Sequence, residues 1–273
     1  MNIGISTYAY FWHLSPERAA PWSLTDVIRT TGEFGADIVQ ICDYAPIDTM
    51  DAAQLRAIRS AADEAGLRIE LGTRGTDPAH LSRYLDLADA LDARIVRTML
   101  TSPSSGPPLS EVRRELANLT QRLERANVRL AIETYEQVPT LVAVELVDAI
   151  DSPFVGICSD PANTVAILEH PTDVIDLVAP RVVNMHVKDF GFHRNAGSNG
   201  FTLTGVPLGE GLLPYDYMVE AIQPGAQGIS QIIEHWLPWQ GSEAATLATE
   251  LKWTRHSLDF LRSRTTQPEG ATR

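Results

Sequence analysis

Cysteine is nearly absent from this chain. There are two among 273 residues, Cys42 and Cys158, each inside an apolar run and neither in a C-x-x-C spacing. A disulfide scaffold and a thiolate metal site are thereby disfavoured, and both thiols are expected to be buried. Long apolar runs are also missing: none approaches the ~18 residues that a membrane span requires. The opening stretch Met1-Asn-Ile-Gly-Ile-Ser-Thr has no basic segment leading into an apolar one, so no secretory leader is expected there and the cytoplasm is the expected location. Basic residues are scarce, 22 Lys and Arg against 35 Asp and Glu, which gives a net charge of −13. That balance argues against nucleic acid and against an anionic membrane as partners. No Walker-type loop, no Gly-x-Gly-x-x-Gly after a strand and no Gly-x-Ser-x-Gly elbow occurs, so neither a nucleotide cofactor nor a serine hydrolase is indicated.

What is present is a repeat of short apolar runs. Hydrophobic residues make up 44% of the chain, enough for one sizeable core. Eight runs read as strands: 3–7, 37–43, 68–74, 94–100, 129–135, 155–160, 182–189 and 229–236. Helical patterns fall between them at 52–65, stopped by Gly66, at 79–91, at 110–126 with Ser110 as cap, and at 138–150, 173–177, 215–221 and 243–262. Alternation of this kind predicts one (β/α)8 barrel, for which ~250 residues is typical. The barrel is expected over residues 1–264, with 265–273 as a disordered polar tail. Three loops would lie at the mouth: 101–108, the long Gly-rich 190–213, which is a lid candidate, and 236–241 with its two Trp residues.

Near the ends of four successive strands stand Glu133, Asp160, His186 and Glu234, spaced by 27, 26 and 48 residues. Alternation along each strand turns them inward, together with small or polar neighbours such as Ala131, Gly156, Cys158 and Asn184, while Val183, Met185 and Val187 should pack on the helices. Any one of them alone could be a satisfied core residue. Charged groups inside a barrel need partners, and four on adjacent strands satisfy one another best through a shared cation. Three carboxylates and one imidazole favour a divalent ion, Mn²⁺, Mg²⁺ or Co²⁺, over structural zinc. By the same parity Arg74 and Arg97 face inward, where with Lys188 they could hold an anionic substrate. For Arg97 the alternative is a buried pair with Glu70 lower in the barrel. Tyr8, Tyr10, Trp12, Trp236 and Trp239, at or past strand ends, could wall a sugar ring.

The segments Ala131-Ile-Glu-Thr134, Gly156-Ile-Cys-Ser-Asp-Pro-Ala-Asn163, Met185-His-Val-Lys-Asp189 and Ile232-Ile-Glu234 resemble the xylose isomerase-like barrels, a group of sugar isomerases and epimerases, inosose-processing enzymes and metal-dependent endonucleases. The resemblance covers nearly the whole barrel. It implies that Glu133, Asp160, His186 and Glu234 bind one divalent metal, often manganese, and that Glu133 and Glu234 move protons. Two positions depart from the sugar epimerases of that group. Asn163 stands where many have a substrate-contacting His, and Phe192 where they have a substrate Arg, with His193 and Arg194 shifted beside it. The stretch Gly205-Val-Pro-Leu-Gly-Glu-Gly211 resembles a subgroup that includes sugar-acid decarboxylases.

The leading expectation is an isomerase or epimerase acting on a small hydroxy-carbonyl sugar or sugar acid through an enediolate. Glu133, Glu234 and Lys188 would be catalytic, and Arg74, Arg97, Asn163, Tyr8, Trp12, Arg194 and Trp236 would bind substrate. The alternative is a lyase that decarboxylates a 3-oxo sugar acid through the same enolate, with Arg74 or Lys188 holding the carboxylate. A nuclease is disfavoured by the acidic balance and by seven His, of which His186 alone sits in a strand motif. A non-catalytic sugar-binding barrel is disfavoured by the intact four-residue set. A homodimer or homotetramer is compatible with all of these.

Overall fold

The computed structural model describes residues 2–101 and 106–265. The expected tail beyond 265 and residues 102–105 of the mouth loop 101–108 lie outside them. Strands β1 (Asn2–Ser6), β2 (Ile38–Cys42), β3 (Arg68–Gly72), β4 (Ile95–Met99), β5 (Arg129–Glu133), β6 (Val155–Ser159) and β7 (Val182–Val187) run parallel in sequence order. A hairpin of β8 (Phe190–Arg194) and β9 (Phe201–Gly205) follows, and β10 (Ser230–Ile233) closes the barrel between β7 and β1. The fold is thus the expected (β/α)8 barrel. Among the described residues no helix is long and apolar enough to cross a membrane.

Alternation produces the two-sided strands. Val39, Ile41, Ile69, Leu71, Val96, Leu130, Ile132, Ile157, Met185, Val187 and Ile233 are buried between sheet and helices. The other face points into the barrel and is largely polar. Near its lower end Glu70 accepts from Ser230 Oγ at 2.6 Å, Asn184 Nδ2 at 3.0 Å and Gln40 Nε2 at 3.1 Å. Burial raises the Glu70 pKa, opposed by those donors. The alternative Glu70–Arg97 pair does not form, because Glu70 is satisfied in this lower layer while Arg97 reaches upward. Gly72 leaves room for a neighbour: a Cβ there would meet Cys42 Sγ at 2.1 Å.

Three local readings are corrected, and the lid candidate is given its secondary structure. The helix Leu24–Phe34, absent from the sequence reading, is started by a Ser23–Asp26 capping box and stopped by Gly35 at φ 76. Its Thr-Thr-Gly run, poor in helix propensity, obscured the apolar spacing of Leu24, Val27 and Ile28. The helix expected to be capped by Ser110 begins at Leu109 after Pro108, with no side-chain cap. Val183 packs inside the barrel with Ile95, Ala131 and Cys158. A register shift opposite Ile157 and Cys158 inserts an extra residue in β7 and breaks the alternation there. The Gly-rich lid candidate is in large part the ordered β8–β9 hairpin.

The rest of that segment is held by one carboxylate. Asp189 accepts from the backbone N–H of Phe190 (2.9 Å), Gly209 (2.8 Å), Gly211 (3.0 Å) and Leu213 (2.9 Å). The chain wraps so tightly that a Cβ on Gly211 would lie 2.3 Å from Asp189 Oδ1 and 2.4 Å from Phe190 O. Gly211→Ala is therefore expected to destabilise the protein by about 1–3 kcal/mol. Gly225→Ala, with nothing within 4 Å of its Cβ, should stay within about 0.5 kcal/mol of the parent. Urea midpoints of the two variants check this, and equal midpoints would refute the wrapped-carboxylate account.

Candidate active site at the barrel mouth

β5, β6, β7 and β10 bring Glu133, Asp160, His186 and Glu234 together at or just past their C-terminal ends. Each offers one donor atom, and all these atoms lie within 4.8 Å of one another in fully buried surroundings. His186 Nδ1 is 3.4 Å from Glu133 Oε1, 3.7 Å from Asp160 Oδ2 and 3.5 Å from Glu234 Oε1. On the far side of the ring, Nε2 lies 2.9 Å from Gln40 Oε1. Gln40 cannot turn over, because its Nε2 donates to Glu70 and to Asn184 Oδ1 at 3.1 Å. The amide oxygen therefore accepts a hydrogen bond from the Nε2 N–H, which leaves Nδ1 facing the carboxylates. The polar plug at the bottom of the barrel thus sets the ring at the top.

Several buried atoms in the cluster make no hydrogen bond: His186 Nδ1, Glu234 Oε1, both oxygens of Asp160 and Glu133 Oε2. Two of them are in ion contact without hydrogen-bond alignment, Glu133 Oε2 at 2.8 Å from Arg97 Nε and Asp160 Oδ2 at 2.8 Å from Lys188 Nζ. Desolvated oxygens and a ring nitrogen left facing one gap are costly unless something cationic fills it. The donor set fits a hard divalent ion. Burial alone would lower the His186 pKa, yet Cys158, Glu234 and Glu133 around it carry it well above the ordinary value. A cation at Nδ1 would take the place of that proton.

Two buried cations flank the carboxylates. Arg97, 1% exposed, donates from Nη1 to Thr73 O at 2.8 Å, and its Nη2 lies 3.6 Å from Asp43 Oδ2. Burial opposes ionisation of Glu133, but Arg97 and His186 hold its pKa below the usual carboxylate range. Lys188 Nζ contacts Asp160, donates to Glu234 Oε2 at 3.2 Å and lies 4.5 Å from the centre of the Trp236 ring. Burial opposes its charge too, and Asp160, Glu234 and Glu133 outweigh that, so it stays an ammonium.

Above these groups opens a cavity of about 310 Å³, lined by Tyr8, Arg74, Arg97, Met99, Glu133, Tyr135, Glu136, Asn163, Lys188, Glu234 and Trp236. Asn163 Nδ2 donates to Glu133 Oε1 at 2.8 Å and to Thr134 O at 3.2 Å. Trp12 and Arg194 are not among the lining residues. The Trp12 indole N–H donates to Leu237 O at 2.8 Å, and Arg194 stacks on Phe201 in the hairpin, 4.3 Å from its ring centre. Sequence reasoning passed over Gln40 and Asp43. Both sit inside the second apolar run, and the parity argument that singled out Glu133 applies to Gln40 as well.

The chain belongs to the xylose isomerase-like TIM barrel family, whose model matches residues 28–264. It is similar to a 3-oxo-isoapionate decarboxylase of Pectobacterium atrosepticum, 48% identical over 97% of this chain and 96% of that protein. Among solved structures it resembles a D-psicose 3-epimerase determined in the presence of D-fructose, with a TM-score of 0.73 and 17% identity over 96% of this chain and 99% of that one. It also resembles a xylose isomerase-like barrel from Mycobacterium smegmatis in complex with magnesium, with a TM-score of 0.68 and 18% identity over 94% of this chain and 97% of that one. The structural likenesses concern the fold.

If the four donors hold an ion, Glu234→Gln should weaken Mn²⁺ or Mg²⁺ binding about tenfold or more, since ligand charge tunes affinity. Glu133→Gln should do the same and also lower stability by about 3 kcal/mol, because it strands the buried Arg97. Titration calorimetry and urea unfolding read the two effects separately, and unchanged cation affinity in both variants would refute the ligand assignment.

Proposed function

We propose that this protein is a divalent-metal-dependent decarboxylase of a small 3-oxo sugar acid. The observation that carries the reading is the state of Glu133 beside the donor cluster. Epimerisation needs two bases, one on each face of the substrate. Here one oxygen of Glu133 takes the Asn163 amide at 2.8 Å and the other lies 2.8 Å from Arg97, which makes it a poor proton acceptor. Decarboxylation needs no base. It needs an electron sink at the 3-oxo group, a proton donor for C2 and a place for the carboxylate. The 48% identity to a 3-oxo-isoapionate decarboxylase supports the same choice over the isomerase or epimerase expected first.

The four donors Glu133, Asp160, His186 and Glu234 would hold the ion, which supplies Lewis acidity toward the 3-oxo oxygen. The C1–C2 bond breaks, its electron pair moves into a C2–C3 double bond with charge on the 3-oxo oxygen, and CO₂ leaves. Lys188, with two carboxylate partners, has an N–H left for that developing charge. Its Nζ then delivers a proton to C2, and solvent replaces it through the open mouth. The product is a ketose one carbon shorter. The Trp236 ring packs against the ammonium, 4.5 Å from its centre, and helps fix where that N–H points.

The test is NMR in D₂O on the Mg²⁺- or Co²⁺-loaded protein with 1-¹³C-labelled 3-oxo acids, beginning with the acid in the relative's name. Labelled bicarbonate, together with a shorter ketose carrying deuterium at the former C2, is the expected result. Lys188→Met should lower its rate by about 10²-fold or more. Deuterium entering next to the carbonyl of an intact carbon skeleton, with no bicarbonate, would return the protein to the epimerases.

A further inference from the structure

At the β1–β3 side of the mouth, Asp43 is a charged residue with φ 48, in the left-handed region that non-glycine residues seldom occupy. Its backbone turns just past β2 so that one carboxylate oxygen, Oδ2, meets three groups. Tyr8 Oη donates to it at 2.8 Å, Arg74 Nε donates at 3.0 Å and Arg97 Nη2 lies 3.6 Å away. The Tyr8 hydroxyl in turn accepts from Arg74 Nη2. Arg74 is therefore aimed by two groups, while its Nη1 has no protein partner among the described residues. Its side chain is 54% exposed and lines the cavity.

We propose that Asp43 is a positioning residue that orients Arg74 to receive the substrate's carboxylate on the β1–β3 side of the mouth, opposite the donor cluster. This rests on the decarboxylase reading. The other two cations at the cavity are already committed. Arg97 is 1% exposed and engaged with Thr73, Glu133 and Asp43. Lys188 stands among Asp160, Glu234 and Trp236, at the end where charge develops.

Asp43 also sets the strength of the contact. During decarboxylation negative charge leaves the carboxylate and appears on the 3-oxo oxygen. A strong cation at the carboxylate would stabilise the ground state more than the transition state. Arg74 compensated by Asp43 and open to solvent gives directional hydrogen bonds with little net charge. The hard charge is kept for the carbonyl end.

Binding to the metal-loaded protein separates this role from a structural one when an unreactive pentonate is compared with the matching pentitol. The parent should prefer the acid by about tenfold, the size of one exposed charge-assisted contact. Arg74→Gln should abolish that preference and leave pentitol affinity unchanged. Asp43→Asn should bind the pentonate several-fold more tightly while kcat for CO₂ release falls, a split between binding and turnover. If Asp43→Asn does not fold, Tyr8→Phe reads the same contact through weaker pentonate binding with pentitol unaffected. A preference that survives Arg74→Gln overturns the proposal, as does equal weakening of both ligands by Asp43→Asn or, where that variant does not fold, by Tyr8→Phe. Because neither ligand reacts, the carboxylate site can stand where no CO₂ is released, and CO₂ release can stand where Arg74 proves irrelevant.

Discussion

The barrel mouth is organised around an imbalance of buried charge. Three carboxylates, Glu133, Asp160 and Glu234, stand in nearly dry surroundings against two fixed cations, Arg97 and Lys188. Once a cation has taken the place of the His186 proton, these side chains carry one surplus negative charge, and one oxygen of each carboxylate lies within 3.7 Å of Nδ1. A dication there would reverse the surplus, and a monoanionic acid entering above it would bring the sum to zero. An anionic substrate therefore suits an acidic protein: the net charge of −13 belongs to the whole surface, whereas recognition is decided by the few desolvated groups at the mouth.

The lower half of the barrel serves that arrangement. Glu70, Gln40, Asn184 and Ser230 form a closed set of hydrogen bonds whose last member, the Gln40 oxygen, holds His186 Nε2. A purely apolar plug would pack as well but would leave the ring free to turn. Cys42 and Cys158 belong to the same interior, and burial pushes their pKa values up to about 12 and about 11. They are space-filling thiols, in keeping with the expectation drawn from their apolar flanks.

Much of this was legible in the sequence, for a physical reason. Parallel strands covered by helices on the outer face leave a period-two signal, and polar residues on the inner face interrupt it at readable positions. That is how Glu133, Asp160, His186 and Glu234 could be grouped without coordinates. The errors fall where the period is broken or absent. The extra residue at Val183 displaces one side chain from its parity. The helix Leu24–Phe34 hides behind Thr30, Thr31 and Gly32. The partner of Arg97 was undecidable from parity, since Glu70 and Glu133 both face inward and the choice depends on height along the barrel axis. Trp12 was placed near the mouth by its position after a strand end and Arg194 by its nearness to the epimerases' substrate Arg, and neither position gives a side chain's direction.

Asp43 was missed for a different reason. Nothing in a period marks a residue whose role comes from a left-handed backbone at a strand end. Such a conformation is held only because its side chain is over-determined by Tyr8, Arg74 and Arg97. The same carboxylate touches an inner arginine, bound to Glu133, and an outer one, open to solvent. A change at the rim is thereby felt at the donor cluster through two ion contacts. The rim and the donor cluster are thus coupled by charge, although none of the four donors stands after β2 or β3. On the proposed reading the barrel fixes where the electron sink lies, and the loops on the opposite side of the mouth hold the charged end of the substrate.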